Sequence, residues 1–380
     1  MSLSSIGEQS LAWHRKYRGK IQVAYKGSLE TLADLSLVYT PGVGTVSTYI
    51  AEHPESVDEL TWRKNVVAVV SDGSAVLGLG NIGPSAALPV MEGKCAIFKR
   101  FGGIDAVPLV LSTQDPEEII RTVLAIAPSF GAIQLEDISA PRCFIIEQRL
   151  HEALDIPVMH DDQHGTAIVT AAGLINAVRV VGKNMSDLRI VLHGAGAAGT
   201  AIAKILLRMG VKELIVVDRQ GAIHREREGL TDEKKMLSEI TNPQQRTGGL
   251  KDIVQGADVL IGVSVAGAFT ADIISGLAPR SIVFALANPV PEILPDEARA
   301  LGVAVIATGR SDFPNQVNNA LCYPGLFRGM LDKRITKVTD EIKLRAAQAI
   351  ASSVLSPTAD KIIPSIFEVG LHERVASSVE

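Results

Sequence analysis

Along this chain, short apolar runs alternate with longer stretches in which apolar and polar residues mix. Residues 65–70, 107–111, 132–135 and 156–159 are β-branched or aliphatic and too short for helices. Between them, residues 116–127 and 141–153 read as helices. Asp115, and then Ser139 or Ala140, stand where N-caps belong, with Pro116 and Pro141 at first-turn positions. Strand followed by helix, repeated, predicts a parallel sheet. The first 60 residues read as helical with polar breaks.

An Ala-rich helical segment over residues 163–181 opens a second series. Strands are predicted at 188–193, 213–218, 257–262, 281–286 and 304–307, with a helix over 199–209 and a helical tail over 339–355. Asp340 and Glu341 suit the first turn of that tail. The polar, charged stretch 220–249 is expected to be a surface excursion. The pattern predicts an α/β protein of two parts: an N-terminal α/β domain with parallel strands (1–160) and a nucleotide-fold domain with a C-terminal helical tail (161–380).

Composition narrows this reading. The 380 residues are 47% hydrophobic and 21% charged, so the chain is neither disordered nor of low complexity. Only 4% are aromatic, so the core must rest on Ala, Val, Ile and Leu, which suits buried parallel strands. A formal charge of −5 argues against a general nucleic-acid surface. Cys95, Cys143 and Cys322 are far apart and form no CxxC, which disfavours disulfides and thiolate zinc. The first residues lack a basic then apolar leader pattern, and no uninterrupted apolar run nears the ~18 residues of a membrane span. The chain is therefore expected to be soluble and cytoplasmic.

Two segments match G-x-G-x-x-G: Gly78-Leu-Gly80-Asn-Ile-Gly83 and Gly194-Ala-Gly196-Ala-Ala-Gly199. Only the second follows a strand and opens an uninterrupted helix, and Asp218 ends the next strand 24 positions after Gly194. Gly194 permits the tight turn, Gly196 a close approach of backbone to pyrophosphate, and Gly199 close packing of helix on strand. Residues Gly194, Ala195, Gly196, Ala197, Ala198 and Gly199 are thus candidates for a dinucleotide. Asp218 favours the ribose hydroxyls of NAD, while Arg219, Arg225 and Arg227 nearby leave NADP open. In the first match, Pro84 and Pro89 are expected to prevent a long helix, leaving a glycine loop that shapes a pocket.

Two acidic pairs end apolar strands: Glu136-Asp137 and Asp161-Asp162. Ligands bind at carboxyl strand ends in open α/β sheets, and neighbouring strands would bring the pairs together. Clustered carboxylates repel unless protonated or bridged by a cation, and oxygen ligands suit Mg²⁺ or Mn²⁺. The alternative is that such acids are solvated or cap helices. His160 and His164 have i, i+4 spacing but read as structural or supporting residues. Lys94, expected before an apolar strand, would be a base if buried near a cation. Tyr39 is a usable proton donor.

Taken in order, Val38-Tyr39-Thr-Pro-Gly-Val43, Ser71-Asp-Gly-Ser74, Leu77-Gly-Leu-Gly-Asn-Ile-Gly83, Gly93-Lys94, Gln134-Leu-Glu136-Asp137, His160-Asp161-Asp162-Gln-His-Gly-Thr166, the fingerprint at 194–199, Ala287-Asn288-Pro289 and Asn315-Gln-Val-Asn318-Asn319 resemble the malic enzyme family in its short prokaryotic form. The resemblance spans about residues 15–330.

The resemblance implies NAD(P)-dependent oxidative decarboxylation of L-malate to pyruvate and CO₂, with oxaloacetate as a further substrate. It implies Glu136, Asp137 and Asp162 as metal ligands and Lys94 as the base for the C2 hydroxyl. Asp161 would tune Lys94, and Tyr39 would protonate C3. Asn288, Asn318 and Asn319 would hold substrate, with Asn288 also near the nicotinamide. A homodimer is implied as well. The chemistry fits independently, because oxidation gives a β-keto acid whose decarboxylation a Lewis acid assists, leaving an enolate that needs a proton. One departure stands out: larger eukaryotic forms carry a substrate-pairing arginine where this chain has Ala75. The length is expected to leave no room for an acyltransferase-like C-terminal domain. Competing readings are a malate-to-lactate lyase that retains NAD, which the short chain disfavours, and a silent nucleotide-binding module.

Overall fold

Strands that read as unbroken apolar runs are buried on both faces, and their alternation decides which core each side chain joins. In β1 (Val66–Ser71), Val67 and Val69 join one apolar cluster, and Val66, Ala68 and Val70 join another on the opposite face. In β5 (Arg189–His193), Ile190 and Leu192 face that same first cluster while Val191 faces a third. The first cluster is therefore shared, and it holds the two halves of the molecule together.

The computed structural model describes residues 3–76 and 78–380, so Met1, Ser2 and Leu77 of the segments quoted above lie outside the described residues. The N-terminal region holds α1 (Leu3–Tyr17), α2 (Leu32–Val38), α3 (Gly42–Glu52) and α4 (Val57–Leu60). Neither α2 nor α3 buries a residue, and their main contacts are with each other and the turns that follow. The first sheet has the order β2-β1-β3-β4, with β2 (Asp105–Val110), β3 (Ala132–Leu135) and β4 (Val158–His160), all parallel. Its helices are α5 (Pro84–Gly102), α6 (Pro116–Ile126) and α7 (Arg142–Ala153).

Helix α8 (Asp161–Val181) leaves β4 directly and packs on α9 (Ala197–Arg208) in the second half. It is long and apolar enough to cross a membrane, but 72% of its apolar window is buried inside the protein. The second sheet has the order β10-β9-β8-β5-β6-β7, parallel except for β7. Its remaining strands are β6 (Glu213–Asp218), β7 (Gly221–Ala222), β8 (Val259–Gly262), β9 (Ile282–Ala285) and β10 (Val305–Thr308). The strand order reverses about β5, at the point where Gly194 follows, so the fold is the doubly wound dinucleotide type.

Three local expectations need correction. The helix after Gly83 is not interrupted: α5 runs 19 residues with Pro84 in its first turn and Pro89 inside. Proline is tolerated in a first turn because its missing N–H is an orphan there anyway. The N-cap before α7 is Pro141, not Ser139 or Ala140, and no side chain caps it. Residues 220–249 are not simply a surface excursion, since they contain β7 and α10 (Asp232–Ile240), with Leu237, Ser238 and Asn242 buried.

Candidate active site

Parallel register sets the centre of the site. Leu135 of β3 lies opposite His160 of β4, so the residues that follow, Glu136-Asp137 and Asp161-Asp162, emerge side by side. The Asp137 amide donates to Asp162 Oδ2 at 2.9 Å across 25 positions of chain. Carboxylate oxygens of Glu136, Asp137 and Asp162 lie within 4.8 Å of one another. Asp137 has a φ of +55°, a left-handed conformation uncommon outside glycine. Its carbonyl accepts from the Ala75 amide at 2.9 Å, and Ser139 N donates to Ser74 Oγ at 2.9 Å. The segment 71–75 thus braces the loop that carries the two acids.

Lys94 reaches this cluster from α5. Its Nζ lies 2.6 Å from Asp161 Oδ2, 3.0 Å from Glu136 Oε1 and 5.0 Å from the ring centre of Tyr323. The residue therefore sits in the middle of a helix rather than before a strand. The helical signal was Ala87, Met91, Cys95 and Phe98, one buried face at spacings of four, four and three. Asn319 Nδ2 donates to Asp161 Oδ2 at 3.2 Å, and Thr166 Oγ1 donates to Asn319 Oδ1 at 3.2 Å.

Four carboxylates here face one ammonium, and Glu136, Asp137 and Asp161 are buried. Burial pushes the Glu136 carboxyl well above the ordinary range; Lys94 opposes that shift, while the other three acids add to it. Burial alone would lower the Lys94 ammonium, but Asp161 and then Glu136 outweigh it and hold Lys94 well above the usual lysine range. One ammonium does not balance four carboxylates, so the cluster as a whole is acidic. An all-oxygen donor set within one ion's reach fits a hard divalent cation such as Mg²⁺ or Mn²⁺.

Other predicted residues make local contacts of their own. Asn318 is turned aside, its Oδ1 accepting from Ala320 N at 2.8 Å as a cap. Asn288 lies in the loop after β9, its Nδ2 donating to Leu286 O at 3.3 Å, and that loop meets the first glycine hexamer. A Cβ added to Gly78 would come within 2.6 Å of Pro289 Cδ, so that hexamer shapes the wall between the halves. Tyr39 is 65% exposed, and its backbone bonds run to Leu35 and Val43; no hydrogen bond or ion pair among the described residues joins it to Lys94 or the acids. His160 and His164 do not converge as a zinc pair: His164 Nε2 lies 3.0 Å from Glu147 Oε2, and His160 Nε2 lies 3.6 Å from Asp162 Oδ2. Sequence reading missed Glu147. It also missed Arg142, which reaches Asp72 Oδ2 at 3.3 Å and Ser139 Oγ at 2.8 Å beside the Ala75 segment.

The fingerprint has the shape its glycines require. Gly194 has a φ of +126°, and a Cβ on Gly199 would lie 1.9 Å from Gly194 O. Nothing lies within 4 Å of a Cβ on Gly196, the N-cap of α9, which leaves the helix N-terminus open. At the end of β6, Asp218 accepts from Arg227 Nη2 at 2.7 Å and from Lys234 Nζ at 2.7 Å. Burial would raise its carboxyl, but these bonds bring it down to about 2.

A doubly wound nucleotide fold set against a cluster of oxygen donors and a partly buried lysine defines a dinucleotide-dependent dehydrogenase. The family described as "malic enzyme, N-terminal domain" matches residues 18–151, and "malic enzyme, NAD binding domain" matches residues 163–379. The NAD-dependent malic enzyme of Geobacillus stearothermophilus is 55% identical over 95% of this chain and 76% of its own length. The bifunctional malic/malolactic enzyme of Bacillus subtilis is 50% identical over 99% of this chain and 92% of its own. The crystal structure of NAD-dependent malic enzyme from Thermotoga maritima superposes with a TM-score of 0.94 at 47% identity, covering 97% of this chain and 98% of that one. The chain belongs to the malic enzyme family.

Proposed function

We propose that this chain catalyses the oxidative decarboxylation of L-malate to pyruvate and CO₂, with NAD as coenzyme. The observation that carries the reading is the convergence of Glu136, Asp137 and Asp162 within 4.8 Å, beside Lys94. These three acids would hold Mg²⁺ or Mn²⁺, which when bound supplies Lewis acidity at the C2 oxygen. Residues 194–199 would seat the dinucleotide, which when bound would supply the acceptor for the hydride leaving C2.

The chain's own groups do the rest. Lys94 takes the C2 hydroxyl proton once the charge of the neighbouring acids is offset. Asp161, outside the cation set, keeps Nζ aimed and is itself held by Asn319. After CO₂ leaves C3, Tyr39 returns a proton to that carbon. Asn288 and Asn319 orient the substrate and the nicotinamide end. Assay of pyruvate and reduced dinucleotide from malate tests this, and absence of turnover with both NAD and NADP across divalent ions would overturn it.

NADP is proposed as an accepted alternative coenzyme. Asp218 suits ribose hydroxyls, while Arg227 and Lys234 bring a net positive charge to the same place, which suits a 2′-phosphate.

The enzyme is proposed to act as a homodimer in which the N-terminal arm docks on the partner and Tyr39 serves the partner's cleft. Support comes from Trp13, Tyr17, Tyr25, Leu32, Leu37 and Tyr49, large side chains exposed on an arm that buries none of its own in α2 or α3.

A second reading, conversion of malate to lactate without net reduction of NAD, is supported by the name of the Bacillus subtilis relative. Short length does not disfavour it, because this chain covers 92% of that relative. Lactate appearing without reduced dinucleotide is its signature.

A further inference from the structure

We infer that Glu147 is a positioning residue for the cation site, locking the first turn of α8, and with it Asp161 and Asp162, against α7. The inference rests on the proposed role of Glu136, Asp137 and Asp162 and extends it to the residue that holds their geometry.

A helix N-terminus exposes amides with no partner inside the helix, and a side-chain acceptor at the N-cap can hold that turn in place. Asp115 caps α6 in this way, Thr231 caps α10, and Thr339 caps α11 (Asp340–Ser352). Helix α8 does not: its N-cap is His160, whose side chain makes no capping bond. Its first-turn acids are engaged elsewhere, Asp161 with Lys94 and Asn319, Asp162 with the Asp137 amide.

Glu147, on the neighbouring α7, instead binds the groups on either side of those two acids. Its Oε1 accepts from His160 N at 2.7 Å. Its Oε2 accepts from Gln163 Nε2 at 2.9 Å and from His164 Nε2 at 3.0 Å. The three donors bracket Asp161 and Asp162 on both sides. Burial would raise the Glu147 carboxyl, but His164 and His160 bring it down to about 2, so it stays an acceptor on every lone pair.

By tying the backbone before Asp161 and the side chains after Asp162 to α7, Glu147 fixes the turn from which the two aspartates reach Lys94 and the Asp137 amide. Replacement by glutamine keeps the shape but puts an amide –NH₂ against donors, leaving at least one of the three unpaired.

The test is Mn²⁺ titration of the purified full chain followed by electron paramagnetic resonance, with NADH binding and thermal unfolding measured alongside. Glu147→Gln is expected to weaken Mn²⁺ binding about 10- to 100-fold, the usual consequence of losing a partner one step behind a ligand. NADH affinity should stay within about twofold, since the hydrogen bonds of Glu147 go to residues 160, 163 and 164 and not to the fingerprint or Asp218. Glu147→Asp, which keeps the charge but falls short of the full set of donors, should lie between the two, and it carries the test if the glutamine variant does not fold. Wild-type Mn²⁺ affinity in these variants overturns the inference, as does a parallel loss of Mn²⁺ binding, NADH binding and melting temperature. Asp162→Asn separates the two claims. If it abolishes Mn²⁺ binding while Glu147→Gln does not, the cation site stands and only the role of Glu147 falls. If the wild type binds no Mn²⁺, both fall.

Discussion

Lys94 Nζ and Asp161 Oδ2 lie 2.6 Å apart although 67 positions separate them in the chain. One comes from the helix after β1 and the other from the turn after β4, and the register of β3 between them fixes the meeting. The pair is largely shut off from solvent, where an ammonium is held charged until the surrounding acids are offset. Under the proposed mechanism, filling of the cation site would be what readies this lysine to act as a base.

Lys94→Ala should lower kcat by about 10²- to 10⁴-fold, the range of a lost general base, while NADH still binds. Tyr39→Phe should also lose most activity. If Tyr39 serves the partner's cleft, refolding the two inactive variants together should restore about a quarter of wild-type activity, because half the dimers are mixed and each has one intact site. No recovery on mixing would keep Tyr39 with its own chain.

Gly199→Ala should impair the dinucleotide site selectively. Its Cβ would fall 1.9 Å from Gly194 O, a backbone atom that cannot step aside without moving the turn. Dinucleotide affinity should drop about tenfold or more with Mn²⁺ binding unchanged. Equal NADH titration curves for variant and wild type would show that the turn absorbs the methyl group.

Asp218→Ala should shift coenzyme choice. Loss of the carboxylate removes acceptors for the ribose hydroxyls and frees Arg227 and Lys234 for a 2′-phosphate. The NADP-to-NAD ratio of kcat/KM should rise about tenfold or more, the scale of one charge-assisted hydrogen bond. An unchanged ratio would remove Asp218 from coenzyme selection.

Acid unfolding should report on the same residue. Its carboxyl is lowered to about 2 in the folded chain, against an ordinary value of ~3.9 when unfolded. The unfolded chain therefore binds the proton first, so the stability this group contributes is fully present above about pH 4 and is lost as pH falls toward about 2. Melting temperatures measured across that window should fall more steeply for wild type than for Asp218→Asn, with the two slopes converging above it.

Much of this was legible before the fold was known. Apart from the half-buried β2, the strands of both sheets are largely buried on two faces, so they appear as apolar runs, and the second sheet's Glu213–Asp218 matches its predicted bounds. The fingerprint was legible because its glycines sit between a strand and a helix. The acids were legible because the neighbouring parallel strands β3 and β4 end side by side. Lys94's helix was obscured by Pro84, Pro89 and Gly93, which read as breaks although the buried face at Met91, Cys95 and Phe98 keeps helical spacing. Helix α10 was hidden by its charge, since a helix with one thin buried edge at Leu237 and Ser238 reads as loop. Glu147 had no local signal at all: its partners lie 13 to 17 positions away and meet it only through the packing of α7 against β4.

The central claim is that Glu136, Asp137 and Asp162 hold one divalent ion on which malate is oxidised and decarboxylated. Pyruvate and NADH should be assayed together from L-malate, NAD and Mn²⁺, for wild type and for Asp162→Asn. The expected result is equal amounts of both products from the wild type and loss of both in the variant, with NADH binding retained. Full turnover by Asp162→Asn, or lactate from the wild type in place of pyruvate and NADH, would contradict it.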